Sequence, residues 1–220
     1  MSNPVTETEL SFQLDSELTW RRRELSDLKS AIRAADPAGR NVLRRSLVTM
    51  CYAHWEGYVR ASATKYFSHI TLRRKKFAEL ETQFYKNSFL VRLDALFRSK
   101  QGVRMNCDLI NSIITSQSSR FSYINPQLID TKSNLNTDVI KDLCVVCGFD
   151  GLFFESNRSF LDVILLKKRN AIAHGQDEAV GDSDIDELVD KTISLMEHFR
   201  TLVENKIYSK GYLANIAAPI

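Results

Sequence analysis

The chain has 220 residues, 44% of them hydrophobic and 26% charged, a balance that excludes a disordered protein. Its net charge of +3, from 30 Lys and Arg against 27 Asp and Glu, is too small to argue nucleic-acid binding by itself. With 8 Gly and 4 Pro it lacks the turn chemistry of many short strands, so an all-α antiparallel bundle of six or seven helices is expected.

Apolar residues at Leu10, Leu14, Leu18, Leu25, Leu28 and Ile32 recur in steps of three, four and seven, the stripe of one long amphipathic helix. "DPAG" at 36–39 ends it, because Pro37 has no amide to donate and Gly39 permits a turn. A second long helix carries Leu43, Leu47, Met50, Cys51, Tyr58 and Val59 and runs to the basic "LRRKK" at 72–76. Shorter helices are expected near 79–98 and 104–117, then a polar loop over 118–136, of a length often tied to function or mobility. A helix near 137–147 stops at Gly148, "FDGLFFESN" reads as a turn, and Asn157 is a candidate cap for a helix over 158–174 that Gly175 terminates. The last helix, about 183–207, has the stripe Ile185, Leu188, Val189, Thr192, Met196, Phe199 and Val203, with acid in its first turn where the helix dipole favours it. No repeat interrupts this plan, and one domain over 1–220 with a core from about 10 to 207 is expected.

The N-terminus has no apolar signal core and no run reaches membrane-spanning length, so a cytoplasmic protein without membrane contact is expected. Cys51, Cys107, Cys144 and Cys147 form neither a disulfide framework nor a zinc pattern, and the lone "CVVC" reads as core cysteines in a reducing compartment. Nor do His, Asp and Glu cluster as metal ligands, so no metal and no cofactor is expected. Basic clusters stand at 21–23, 44–45, 73–76 and 167–169, while Asp177 to Asp190 is acidic without a basic residue; such runs are most often solvated faces.

"KKRNAIAHGQ", 167–176, concentrates Arg169, Asn170 and His174 where a helix is about to end. Asn170 and His174, four apart, share a helix face, whereas Arg169 and His174 diverge by roughly 140°, which suits a cleft between two helices or two chains. The plainer reading is a basic last turn in which Lys167, Lys168, Arg169 and His174 satisfy the final carbonyls and the dipole.

"RNAIAHG" resembles the R-x4-H signature of the HEPN superfamily of helical domains, and "YAHWEGYVR" at 52–60 resembles a segment of prokaryotic HEPN families from toxin and defence gene pairs. The resemblance rests on these two motifs and the all-helical plan. It implies a homodimer whose two R-x4-H motifs form a composite, metal-independent endoribonuclease site, in a toxin or antiviral defence effector with an antitoxin or other partner from the same operon. RNA supplies its own nucleophile, the 2′-hydroxyl, leaving the protein to align it, move protons and stabilise charge. His174 would be the general acid or base, Arg169 would hold the phosphate, and Asn170 would orient His174 or touch the phosphate. Glu56 would pair with Arg169 or with Arg60, and His54 would line the same cleft; alternatively Trp55 is a core anchor and both are merely its flanks. RNA phosphates would meet Arg44, Arg45, Lys168 and the cluster Arg73, Arg74, Lys75 and Lys76. Where some relatives carry a modifiable Tyr two residues after the His, this chain has Gln176, so that regulation is not implied. The competing readings are a catalytically silent interaction or dimerisation module and a regulatory nucleotide-binding domain, the latter without a Gly-rich phosphate loop.

Overall fold

The computed structural model describes residues 3–98, 102–131 and 133–214. Among the described residues eight α-helices follow one another: α1 (Glu7–Ala34), α2 (Pro37–Thr71), α3 (Thr82–Arg98), α4 (Val103–Thr115), α5 (Thr137–Cys147), α6 (Leu152–Ser156), α7 (Lys168–Ala173) and α8 (Asp184–Tyr208). A π-helical segment, Phe160–Lys167, runs directly into α7. The described residues form no strands, only two isolated bridges, Lys76 to Arg120 and Leu80 to Leu213. No described helix is long and apolar enough to cross a membrane.

Local chemistry sets the helix ends. Thr6 and Glu9 cap α1 reciprocally: the Thr6 hydroxyl accepts from the Glu9 amide (3.1 Å) and the Glu9 carboxylate accepts from the Thr6 amide (2.9 Å). "DPAG" does more than end α1. Asp36 accepts from the Gly39 amide at 2.7 Å and Pro37 occupies the first turn, so the same four residues start α2. Asp36→Ala should therefore lower stability by about 1 kcal/mol, read as a lower urea midpoint at unchanged slope. Asn136 caps α5 by accepting from Val139, and Gly148, at φ 71°, closes it in the left-handed region.

The 35-residue α2 is the central rod, with α1 and α8 packed along it and the π segment and α7 on a further side. Its buried residues, from Leu47 to Ile70, therefore lie on most of its circumference. The expected stripes of α1 and α8 are buried except Leu28, which is partly so. The acidic start of α8 is answered by α1, where Lys29 and Arg33 meet Asp186 at 2.6 and 3.1 Å.

Two local expectations are corrected and a third is refined. "FDGLFFESN" contains the short helix α6, because Phe154 is drawn into the core and Phe153 stacks on His198 at 3.8 Å. Asn157 does not cap the following helix; its amide donates back to the Phe153 carbonyl at 2.8 Å and finishes α6. The segment 118–136 is docked against the bundle through buried Phe121, Ile129, Thr131 and Leu135, with a 3-10 turn over Pro126–Ile129. Lys132, inside it, lies outside the described residues.

Candidate active site

The π segment places Phe160, Leu161, Leu165 and Leu166 in the core and delivers the chain to α7. Bonding to the fifth residue rather than the fourth puts more residues in each turn, so faces downstream are rotated from where an unbroken α-helix would carry them. Such segments are frequent at functional sites. The apolar run 160–166 looks alike in either geometry, which hid the change from the sequence.

Backbone amides close α7. Gln176 donates to the Ala171 carbonyl (2.9 Å), Gly175 to Ile172 (3.0 Å) and His174 to Asn170 (3.0 Å). This double closure around a left-handed residue requires Gly175, which sits at φ 77°. The carbonyls of Asn170, Ala171 and Ile172 are thus satisfied without side chains, which weakens the reading of Lys167, Lys168, Arg169 and His174 as carbonyl caps. His174 is exposed at the helix end, and its imidazole has no hydrogen-bond partner among the described residues.

Arg169 turns the other way, toward α2. Its guanidinium lies over the Tyr52 ring, 4.3 Å from the centroid, and one nitrogen donates to the Asn170 side-chain oxygen at 2.6 Å. Tyr52 is buried, and its hydroxyl accepts from the Leu135 amide at 2.7 Å. Burial raises the phenol above its ordinary value, with Glu56 adding to the rise and the Leu135 amide, Arg169 and Arg60 opposing it. Tyr52 is accordingly a neutral aromatic face at physiological pH.

Glu56, one turn along α2, accepts from the Thr131 hydroxyl at 2.6 Å and stands 3.9 Å from Arg60, which itself donates to Thr131 at 2.9 Å. Of its two expected partners it takes Arg60, and it ties α2 to the docked loop. His54 does not join this cleft. It faces α1, edge-on to Trp20 at 5.2 Å and 2.9 Å from Glu24, and burial holds its imidazole below the ordinary value against the pull of that carboxylate. Two positions along a helix differ by roughly 200°, so His54 and Glu56 cannot both look at Arg169. Trp55 is fully buried against Phe154, 5.7 Å between rings.

The basic residues divide. Arg44 and Arg45 hold the loop after the motif: Arg45 donates to the Gln176 carbonyl (2.7 Å) and the Asp177 carboxylate (3.3 Å), and Arg44 to the Asp182 carboxylate and the Val180 carbonyl. They are not free cations. Lys168 is half-buried and lines a groove of about 310 Å³ with Val48, Phe160, Leu188 and Lys191. Arg73, Arg74, Lys75 and Lys76 lie at the far end of α2, roughly 40 Å from Arg45 at 1.5 Å per residue, and are not brought to the motif. Arg73 there donates to the His69 carbonyl (2.8 Å) and Lys75 to Glu79 (2.9 Å), while the carbonyl of Arg74 accepts from Arg120. No group of three His, Cys, Asp or Glu side chains stands ready for a metal ion among the described residues.

Tyr52 is the functional candidate that the motifs alone did not single out. It opens "YAHWEGYVR" and lies four residues before Glu56, a same-face spacing that could have flagged it.

A family model described as RiboL-PSP-HEPN matches residues 16–205. No curated protein and no solved structure matches the chain.

Proposed function

The chain belongs to the RiboL-PSP-HEPN family, HEPN-type domains that are generally nucleases or otherwise RNA-related, and from that premise we propose that it is a metal-independent endoribonuclease. The observation that carries the reading is the pair Arg169 and His174: an arginine fixed by Tyr52 and Asn170, and an exposed histidine with no structural task. In the reaction the 2′-oxygen attacks the adjacent phosphorus and the bond to the 5′-oxygen breaks, leaving a 2′,3′-cyclic phosphate and a 5′-hydroxyl. His174 takes the proton of the 2′-hydroxyl or supplies one to the departing 5′-oxygen. Arg169 stabilises the charge that builds on the phosphoryl oxygens, and its planar fork suits two of them.

Within one protomer Arg169 turns inward and His174 outward. A second copy, related by a two-fold axis near α7, would let each histidine work with the partner's arginine. HEPN domains often dimerise and bind RNA, which supports this arrangement. The resemblance of residues 52–60 to toxin and defence families supports a role as toxin or antiviral effector, with an antitoxin or other partner from the same operon. The purified protein incubated with total RNA in EDTA tests the activity: cut ends bearing 2′,3′-cyclic phosphate are expected, and intact RNA with folded dimer would defeat it.

A specific observation favours a second reading, a silent binding module. The two arginines next to the motif are already occupied by Asp177 and Asp182. Asp177 is 95% exposed, however, and exposed ion pairs contribute only about 0–1 kcal/mol, so little stability rests on these carboxylates, and removing them frees both arginines for RNA phosphates. Asp177→Asn with Asp182→Asn, in a His174→Ala background, should then tighten single-stranded RNA binding. The dependence of log K on log salt should steepen by about 1.4 units, two added phosphate contacts. A titration from 50 to 200 mM salt with unchanged affinity and slope would remove Arg44 and Arg45 from the RNA surface.

A further inference from the structure

We infer that Tyr52 is a positioning residue for Arg169, holding the guanidinium in one orientation so that its free edge is presented to the scissile phosphate; this rests on the ribonuclease reading. An arginine side chain near a surface ordinarily samples many rotamers, and fixing it during reaction costs entropy that lowers the rate. Here three contacts remove that freedom beforehand. The Tyr52 ring covers one face of the guanidinium at 4.3 Å, and Asn170 accepts from one of its terminal nitrogens at 2.6 Å. The third contact acts on the ring itself: the Leu135 amide donates to the Tyr52 hydroxyl at 2.7 Å, which ties the platform to the docked loop. Glu56 and Arg60 hold that same loop through Thr131, so the face beneath Arg169 is braced from two points. The π-electron face attracts a cation without competing for its N–H groups, which stay available to phosphate oxygens. A carboxylate in the same place would occupy those donors.

Tyr52→Phe keeps the aromatic face over the guanidinium and gives up only the hydroxyl bond to Leu135, whereas Tyr52→Leu removes the face while keeping apolar bulk. For the leucine variant kcat should fall about tenfold with KM changed less than twofold, since the loss is felt where charge develops. The phenylalanine variant should restore kcat to within about threefold of wild type. Thermal melts accompany both variants. If Tyr52→Leu cleaves like wild type, or if Tyr52→Phe fails as badly, the inference is overturned.

A second measurement needs neither activity nor a folded variant at position 52. In the wild-type protein the Arg169 Nε–Hε resonance, identified by its loss in Arg169→Lys, should be shifted upfield by the ring and show a rigid heteronuclear NOE. A random-coil shift with a mobile side chain would overturn the inference. Absence of cleavage by wild type combined with a shifted, rigid resonance would defeat the ribonuclease reading and leave the platform standing.

Discussion

His174→Ala is expected to lower RNA cleavage about 100- to 10,000-fold, the range a positioned general acid or base contributes, while the melting temperature stays within about one degree. Both halves of that expectation come from the helix end. The imidazole is exposed and has no hydrogen-bond partner among the described residues, so its removal exposes no buried group and breaks no contact. The carbonyls of Asn170, Ala171 and Ile172 keep their partners, because the amides of His174, Gly175 and Gln176 remain whatever the side chain at 174. Arg169→Ala should cost as much activity but should also shift stability slightly, since it uncovers the Tyr52 ring and leaves Asn170 without its donor. Mapping ends after incubation in EDTA reads both variants against wild type. Cleavage that survives His174→Ala at more than about a tenth of the wild-type rate would sink the acid–base assignment.

Trp55→Ala should destabilise the protein by about 3–5 kcal/mol, the usual cost of emptying a large aromatic site in a packed core. Trp55 is 0% exposed, lies on the central helix and packs against Phe154 from α6. A chain of this size loses about 2–4 °C per kcal/mol, so the melting temperature should fall by roughly 6–20 °C. The indole N–H is buried and finds no acceptor among the described residues, so Trp55→Phe removes an unsatisfied donor along with some volume and should cost less than half as much. Activity per folded molecule should be unchanged in Trp55→Phe. A lost cleavage rate at full folding would instead assign Trp55 to the reaction and undo its reading as a core anchor.

The helical plan was legible because it depends on spacing along one helix at a time. The stripes of α1 and α8, the break at 36–39 and the Gly148 and Gly175 stops are all local signals, and each lies where the pattern places it. What escaped the sequence depends on contacts between distant segments. Arg44 and Arg45 read as a basic patch and Asp177 to Asp190 as a solvated acid run, yet Asp177 and Asp182 of that run are their partners across a separation no periodicity records. The cluster 73–76 looked equivalent to Arg44 and Arg45 in charge, but the length of α2 sets them far apart. His54 and Glu56 looked like one motif because they flank Trp55; the helix sends them to opposite sides. Tyr52, an aromatic residue at helical spacing, reads as core, and it is core on the side of its ring that Arg169 does not cover.

The way α7 ends also bears on how such a chain changes role over generations. Position 174 is a place where folding imposes almost no selection: the glycine and the backbone amides close the helix, and the side chain hangs outside the packing. A lineage that loses the histidine keeps its bundle, its loop clasp and whatever surfaces it presents to other molecules. The proposed ribonuclease and an inert binding protein of the same shape are thus neighbours in sequence space, one tolerated substitution apart. At this position folding asks for no histidine, and only the proposed acid–base role would call for one.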